Sequence, residues 1–264
     1  METVDAGGHR IAYERKGEGP PLVLLHGYVG DRRMWRPQID GLSDEFTVVA
    51  WDAPGYGGSS DPPEAFPLSD FADCLAAFID ALGLGRPHVV GLSFGGGLAL
   101  ELYRRHPSLP RTLVLASAYA GWAGSLPSEV VEQRLQQALR LADQSPDRLV
   151  EELMPTMFTD SAPAELVEEF AASVREFHPV GLRANSRAFA EADLRDVLPH
   201  VAVPTLLLYG DMDVRAPFIV ARDLHAKIPR SRLVAIPGAG HVCNVDAPER
   251  FNTEVRAFLR SAES

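Results

Sequence analysis

The chain has 264 residues, enough for one large α/β domain or two smaller domains. Hydrophobic residues make up 46% and charged residues 23%, proportions that are typical of a globular protein with a sizeable core and that exclude wholesale disorder. The formal net charge of -11 argues against a nucleic-acid partner, because a surface that binds nucleic acid needs clustered Lys and Arg.

The absence of targeting signals and the cysteine pattern argue against membrane-spanning, secreted, disulfide-bonded and metal-binding proteins. No apolar run reaches the roughly 18 residues of a membrane-spanning helix, and residues 1–19 lack the apolar core of a signal peptide. The sequence therefore predicts a cytoplasmic protein without a membrane partner. Only Cys74 and Cys243 occur, outside any CxxC or Cys/His spacing, so we expect two buried thiols, no disulfide framework and no metal.

The predicted elements begin with an antiparallel hairpin in residues 4–15, around Gly7 and Gly8. Continuous apolar runs, typical of strands buried on both faces, follow at 22–25, 46–51, 88–91, 112–116, 205–209 and 232–236. Apolar stripes at helical spacing occur at 71–82, 220–228 and 251–258. This alternation predicts an α/β fold with a mostly parallel central sheet and helices on both faces.

One connection is much longer than a strand crossover requires. Residues 118–204 separate two predicted strands, whereas a βαβ crossover needs only about a dozen residues. This segment has helical patterns of its own at 131–142, 149–153, 166–174 and 182–189. We therefore expect a core domain formed by residues 1–120 and 196–264, and a helical cap formed by residues 121–195.

A serine lies at the point where a predicted strand meets a predicted helix, in Gly91-Leu92-Ser93-Phe94-Gly95. In this context G-x-S-x-G is typical of a nucleophile on a tight turn, because glycines relieve clashes at the flanking positions. A serine also needs a base that takes its proton. His241 follows the last predicted strand, and reacting groups gather at the carboxyl edge of an open parallel sheet.

The imidazole in turn needs a carboxylate that fixes its tautomer. The loop after the strand at 205–209 offers Asp211 and Asp213, again at the carboxyl end of a strand. The order Ser93, Asp213, His241 matches the order of nucleophile, acid and base in α/β hydrolases.

Several motifs together resemble the α/β-hydrolase superfamily over essentially the full chain. LLHGY at 24–28 is similar to its HG loop, DAPGYGGS at 52–59 to its D-x-x-G-x-G-x-S turn, and YGDMDVRAP at 209–217 to its acid loop. The resemblance implies an α/β-hydrolase fold with a helical cap and a Ser93–Asp213–His241 triad, with Asp213 preferred to Asp211. It places the oxyanion donors on the amides of Tyr28 and Phe94.

Other polar residues of these motifs are interpreted as structural. We expect His26 to brace the backbone of its loop, and Asp52 and Ser59 to organise a turn near the site. The apolar pocket is expected to be lined mainly from the cap. Its candidate residues are Tyr119, Trp122, Met154, Met157, Phe158, Phe189, Val214 and Val242.

The resemblance implies a serine hydrolase that cleaves small-molecule carboxylic esters or lactones through an acyl-enzyme, as a monomer or homodimer and without a cofactor. A serine nucleophile excludes the relatives that attack with aspartate, the haloalkane dehalogenases and epoxide hydrolases. Three alternatives stay open: a carbon-carbon bond hydrolase of the meta-cleavage type, a triad-bearing ligand receptor and a non-haem perhydrolase.

Overall fold

The computed structural model describes residues 1–263. Its strands are Glu2–Ala6 (β1), His9–Lys16 (β2), Pro21–Leu25 (β3), Thr47–Trp51 (β4), His88–Leu92 (β5), Thr112–Ala116 (β6), Thr205–Gly210 (β7) and Ser231–Ile236 (β8). They form one sheet in the order β1-β2-β4-β3-β5-β6-β7-β8. β2 pairs antiparallel with β1 and β4, and the remaining pairs are parallel.

Each strand from β3 onward is followed by at least one helix. The helices are Arg36–Leu42 (α1), Leu68–Ala81 (α2), Phe94–Arg105 (α3), Ser128–Ala142 (α4), Pro146–Met157 (α5), Ala164–Arg175 (α6), Pro179–Glu191 (α7), Phe218–Lys227 (α8), Cys243–Asp246 (α9) and Pro248–Glu263 (α10). Within residues 1–263, none of them is long and apolar enough to cross a bilayer.

Burial explains why the central strands have continuous apolar sequences. Every residue of β4, β5 and β6 is buried, because helices cover both faces of the parallel part of the sheet. α2 buries the stripe that contains Phe71, Leu75 and Phe78. The predicted fold class is confirmed, and the predicted hairpin is observed in the register that pairs Val4 with Ile11.

The long connection between β6 and β7 contains four helices, α4 to α7. They lie inside the segment 121–195 that the sequence predicts as a cap, and each buries one apolar face, with Leu141, Leu153, Phe170 and Phe189 among the buried residues. We call these four helices the helical insertion. They reach the carboxyl edge of the sheet, where Met157, Phe170 and Phe189 share a cavity with Ser93.

Candidate active site

Ser93 occupies the turn between β5 and α3. Its backbone angles are φ 53° and ψ -110°, a conformation that non-glycine residues rarely adopt. The Ser93 amide donates to the carbonyl of Ala116 at 2.8 Å, and its own carbonyl accepts from Gly96 and Gly97, so both sides of the strained residue are held. Ser93 is 6% exposed and lines the cavity.

The glycines of the motif are required by close approach. A Cβ atom at Gly91 would lie 2.1 Å from the carbonyl oxygen of Gly95, and a Cβ at Gly95 would lie 2.2 Å from that of Leu25. In both cases the obstacle is backbone, which cannot swing aside as a flexible side chain can. The start of α3 therefore packs directly against the turn and against the end of β3.

His241 and Asp213 meet at the carboxyl ends of β8 and β7. Nδ1 of His241 lies 2.9 Å from Oδ2 and 3.1 Å from Oδ1 of Asp213, so an Nδ1–H donates to the carboxylate and leaves Nε2 free to accept a proton. Both residues are buried. Asp211 is exposed and accepts from the amide of Gly238 instead.

The carboxylate of Asp213 is held as an anion. Burial raises its pKa, but the adjacent His241 imidazole and the hydrogen bonds that Asp213 accepts outweigh burial and keep the pKa below its usual value. Two of these bonds come from the backbone, from the amides of Arg215 and Ala216 at 2.8 Å each. The acid is therefore fixed in position and charged where the imidazole needs it.

Ser93 and His241 line one cavity but form no direct hydrogen bond within the described chain. Such contacts are often loose without substrate and tighten when it binds. The arrangement brings together the three residues that the sequence proposes as nucleophile, base and acid.

Two backbone amides next to Ser93 and Gly27 lack a protein acceptor within residues 1–263. In the described part of the chain, the N–H groups of Tyr28 and Phe94 donate to no other protein group. Phe94 begins α3, where the helix dipole favours negative charge. The loop that carries Tyr28 is held by the Tyr56 hydroxyl, which donates to the Tyr28 carbonyl at 2.9 Å.

His26 braces this loop, as the sequence predicts. Its Nδ1 lies 2.8 Å from the carbonyl of Gly27, and its Nε2 accepts from the amide of Ala53 at 2.9 Å. These two bonds assign the proton to Nδ1. Burial lowers the pKa of His26 and so favours the neutral imidazole. His26 does not line the cavity.

Asp52 and Ser59 organise the neighbouring turn. The Asp52 carboxylate pairs with Arg32 and accepts from the amide of Gly58 at 2.8 Å. The Ser59 hydroxyl donates to the Asp52 carbonyl at 2.7 Å and accepts from the amide of Ala12 at 2.9 Å. Neither side chain lines the cavity, which agrees with their predicted structural role.

The cavity beside Ser93 is narrow. Its volume is about 20 Å³. That is room for little more than one water. Five of the expected pocket residues lie in its wall, namely Tyr119, Trp122, Met157, Phe189 and Val242.

Three expected pocket residues do not line this cavity. Val214 is 69% exposed, because the turn capped by Asp213 directs it outward. Phe158 follows the last residue of α5 and stacks on Phe170, with ring centroids 5.2 Å apart. Met154 is only partly buried and packs against the core from α5.

Sequence reasoning missed other wall residues: Gly27, Val29, Leu92, Arg134, Phe170 and Arg215. Leu92 and Val29 adjoin recognised motifs, and that proximity could have suggested them. Arg215 lies within the acid-loop motif at 209–217, whereas Arg134 had no such signal, since arginines are common throughout the chain. Among residues 1–263, no group of three or more His, Cys, Asp or Glu side chains is arranged to hold a metal ion.

The fold and the site geometry define an α/β protein that presents a serine, a histidine and an aspartate at the carboxyl edge of a parallel sheet. Residues 20–248 match the family described as alpha/beta hydrolase fold. The chain belongs to this family.

Three similar proteins illustrate its range. A thermophilic esterase from Thermogutta terrifontis, solved with malate bound, is 31% identical, with all of both chains covered and a TM-score of 0.93. The enol-lactonase from Burkholderia xenovorans LB400 is 26% identical, with 98% of this chain and 100% of the other covered and a TM-score of 0.89. The pimeloyl-[acyl-carrier protein] methyl ester esterase of Vibrio vulnificus is 29% identical, with 94% and 97% covered.

Proposed function

We propose that this protein hydrolyses carboxylic esters or lactones of small molecules through an acyl-enzyme on Ser93. The observation that carries the proposal is the single cavity into which Ser93 and the Asp213-bound His241 both project. Relatives named as an esterase, a methyl ester esterase and an enol-lactonase support the same class of reaction.

The residues divide the chemistry as follows. Nε2 of His241 takes the proton of the Ser93 hydroxyl while Oγ attacks the substrate carbonyl, and Asp213 stabilises the imidazolium. The amides of Tyr28 and Phe94 are the donors available for the oxyanion, where one donor is typically worth about 3 kcal/mol of barrier. His241 then protonates the leaving alcohol, which in a lactone stays attached to the acyl group.

Deacylation repeats these steps with water. His241 takes a proton from water, the resulting hydroxide attacks the acyl-enzyme carbonyl, and the proton returns to Ser93 as the acid leaves. The helical insertion, which we assign to a cap formed by residues 121–195, limits the water that reaches the acyl-enzyme. The narrowness of the cavity supports this role.

The test combines turnover with covalent labelling. Wild-type protein is expected to release p-nitrophenol from p-nitrophenyl acetate and to be labelled by a fluorophosphonate at Ser93, as located by peptide mass spectrometry. Ser93→Ala should lose both while retaining the wild-type circular dichroism spectrum and Tm. Asp213→Asn should lower kcat roughly 10⁴-fold, since it removes the partner that fixes the His241 tautomer.

Asp211→Asn is the matched control for the acid and should retain activity. Equal, slow turnover by wild type and Ser93→Ala would overturn the proposal and favour a ligand receptor. Cleavage confined to dienoic ketones would instead assign carbon-carbon bond hydrolysis. Hydrogen-peroxide-dependent formation of peracid, without ester hydrolysis, would assign perhydrolase activity.

A further inference from the structure

The cavity beside Ser93 is lined by two arginines and by no acidic residue. Arg134 comes from α4 of the helical insertion, and Arg215 comes from the loop after β7. This local charge is opposite to that of the whole chain, which has 36 Asp and Glu against 25 Lys and Arg. The wall of the candidate active site therefore carries an excess of positive charge, although the net charge of the protein is negative.

Arg215 forms no ion pair within residues 1–263. Its guanidinium donates to the Thr156 hydroxyl at 3.0 Å instead. Other arginines near the site are paired, for example Arg32 with Asp52 and Arg33 with Asp31. A guanidinium carries five N–H donors, so Arg215 retains donors for a ligand.

Arg134 is held in place beside Arg215. Its guanidinium donates to the Tyr119 hydroxyl at 3.1 Å and to the carbonyl of Arg215 at 2.9 Å. It also lies over two aromatic rings, 5.7 Å from the centroid of Tyr119 and 5.9 Å from that of Trp122. These contacts fix the position of the cation without neutralising it.

The two cations make the cavity favourable for an anion. Burial lowers the pKa of Arg215, and the neighbouring Arg134 guanidinium lowers it further. Guanidinium groups nevertheless stay protonated in proteins, so both positive charges persist. A partly buried charge without a counter-ion is unfavourable, and a carboxylate bound between the two arginines would reduce both the cost of burial and the repulsion between them.

We infer that the substrate carries a carboxylate in addition to its ester or lactone group, and that Arg215 and Arg134 bind this carboxylate. The inference rests on the proposed function and names the substrate class of the same site. The rest of the wall is apolar, with Trp122, Phe170 and Phe189, and it suits a short hydrocarbon segment between the two polar ends, for which the cavity has to widen beyond the volume of one water. Half-esters of short dicarboxylic acids and lactones with a pendant carboxylate have this chemistry.

The carboxylate takes no part in the bond changes. For a half-ester, Ser93 displaces the alcohol, which leaves with the serine proton, and water then releases the dicarboxylic acid from the acyl-enzyme and returns a proton to Ser93. The arginines act by binding and orienting, so their contribution depends on the charge at the far end of the substrate. A neutral substrate of the same shape isolates that contribution.

The kinetic test compares the monomethyl esters of succinic, glutaric and adipic acids with the methyl esters of the corresponding monoamides. The amide matches the carboxylate in size and lacks its charge. At least one acid is expected to exceed its amide in kcat/KM by about tenfold to a hundredfold, the factor typical of a hydrogen bond to a charged group. A ratio near one for all three lengths would overturn the inference.

Variants assign the preference to the arginines. Arg215→Gln should bring the acid-to-amide ratio close to one, Arg134→Gln should lower it, and Arg215→Lys should restore part of it. Arg222→Gln is the matched control, because Arg222 is an exposed arginine of α8 outside the cavity. If Arg215→Gln kept the acid-to-amide ratio of the wild type, the assignment to Arg215 would be overturned.

A binding measurement separates this inference from the proposed function. Glutarate should bind Ser93→Ala in isothermal titration calorimetry, and Arg215→Gln in the same background should abolish the heat. If wild type cleaves p-nitrophenyl acetate but glutarate does not bind and no acid is preferred, only the carboxylate inference fails. If glutarate binds through Arg215 but no ester is cleaved, only the proposed reaction fails.

Discussion

The amide of Val242 donates to the carbonyl of Met157 at 3.0 Å, and this bond joins the loop that carries His241 to the end of α5. The join is reinforced by Asp246, whose carboxylate accepts from the amides of Gly240 and Thr159. The position of the candidate base and the position of the helical insertion are therefore coupled. Any opening of the insertion at this point loosens the loop on which His241 lies.

Asp246→Ala removes the carboxylate that accepts from Gly240 in the His241 loop and from Thr159 after α5. We expect kcat for short esters to fall roughly tenfold to a hundredfold, because a base displaced by about 1 Å loses that much activity. Asp246→Asn keeps one acceptor oxygen and should lose less. Asp211→Ala, which frees only the neighbouring Gly238 amide, is the control. A wild-type kcat in Asp246→Ala would show that the join does not position His241.

The fold could be predicted because the strands are buried on both faces. Apolar runs such as 113–116 have no polar position, and that pattern is typical of strands in a parallel sheet covered on both sides. Because the carboxyl ends of parallel strands lie at one edge of a sheet, the loops after β5, β7 and β8 could be predicted to lie together. Length alone revealed the insertion, since residues 118–204 exceed any simple crossover.

The pocket wall could not be predicted with the same success, because loop geometry decides which of two neighbours faces inward. Val214 is 69% exposed whereas the adjacent Arg215 lines the cavity. The difference arises from the turn in which Asp213 accepts from the amides two and three residues ahead. At the end of α5, Met157 likewise faces the cavity while Phe158 does not. No periodicity describes such positions.

Gly95→Ala should destabilise the protein through a steric clash. The added Cβ would lie 2.2 Å from the Leu25 carbonyl oxygen, so backbone must move. We expect a loss of about 2 kcal/mol or more in the free energy of unfolding, measured by urea denaturation. Gly83→Ala is the control, because Gly83 has φ +63° and open space around it. Left-handed strain alone should cost about 1 kcal/mol there. Equal losses would contradict the steric explanation.

The buried His26 predicts a pH dependence of stability. Burial lowers its pKa in the folded chain, whereas an unfolded histidine titrates near about 6.5. Folding therefore favours the neutral form of His26. The stability that this form contributes to the fold is present above about pH 6.5 and is lost as pH falls through the folded pKa. The loss reaches up to about 1.4 kcal/mol per pH unit.

Urea denaturation at pH 7.5 and pH 5.5 measures this effect. The free energy of unfolding should fall between the two pH values in wild type, and His26→Asn should reduce the difference whatever its effect at pH 7.5. His200→Gln replaces an exposed histidine and should keep the wild-type difference. The same pH dependence in wild type and His26→Asn would assign the effect to other groups.

Phe189 limits the size of the acyl group that fits beside Ser93. Its ring lies 5.4 Å from Phe94 and 5.7 Å from Trp122 between centroids, and the cavity beside it has a volume of only about 20 Å³. Phe189→Leu removes ring atoms from this wall. The ratio of kcat/KM for p-nitrophenyl hexanoate to that for the acetate should therefore rise roughly tenfold, since one methylene in an apolar pocket is worth at least that factor.

The control for this prediction is the same substitution in a second phenylalanine of the insertion. Phe158 stacks on Phe170 but lies outside the cavity wall, so Phe158→Leu should leave the hexanoate-to-acetate ratio unchanged. Loss of packing alone would lower the Tm of both variants and shift neither ratio. A higher ratio in Phe158→Leu, or an unchanged ratio in Phe189→Leu, would show that the acyl group lies elsewhere, because Phe189 lines the cavity with Ser93 and Phe158 does not.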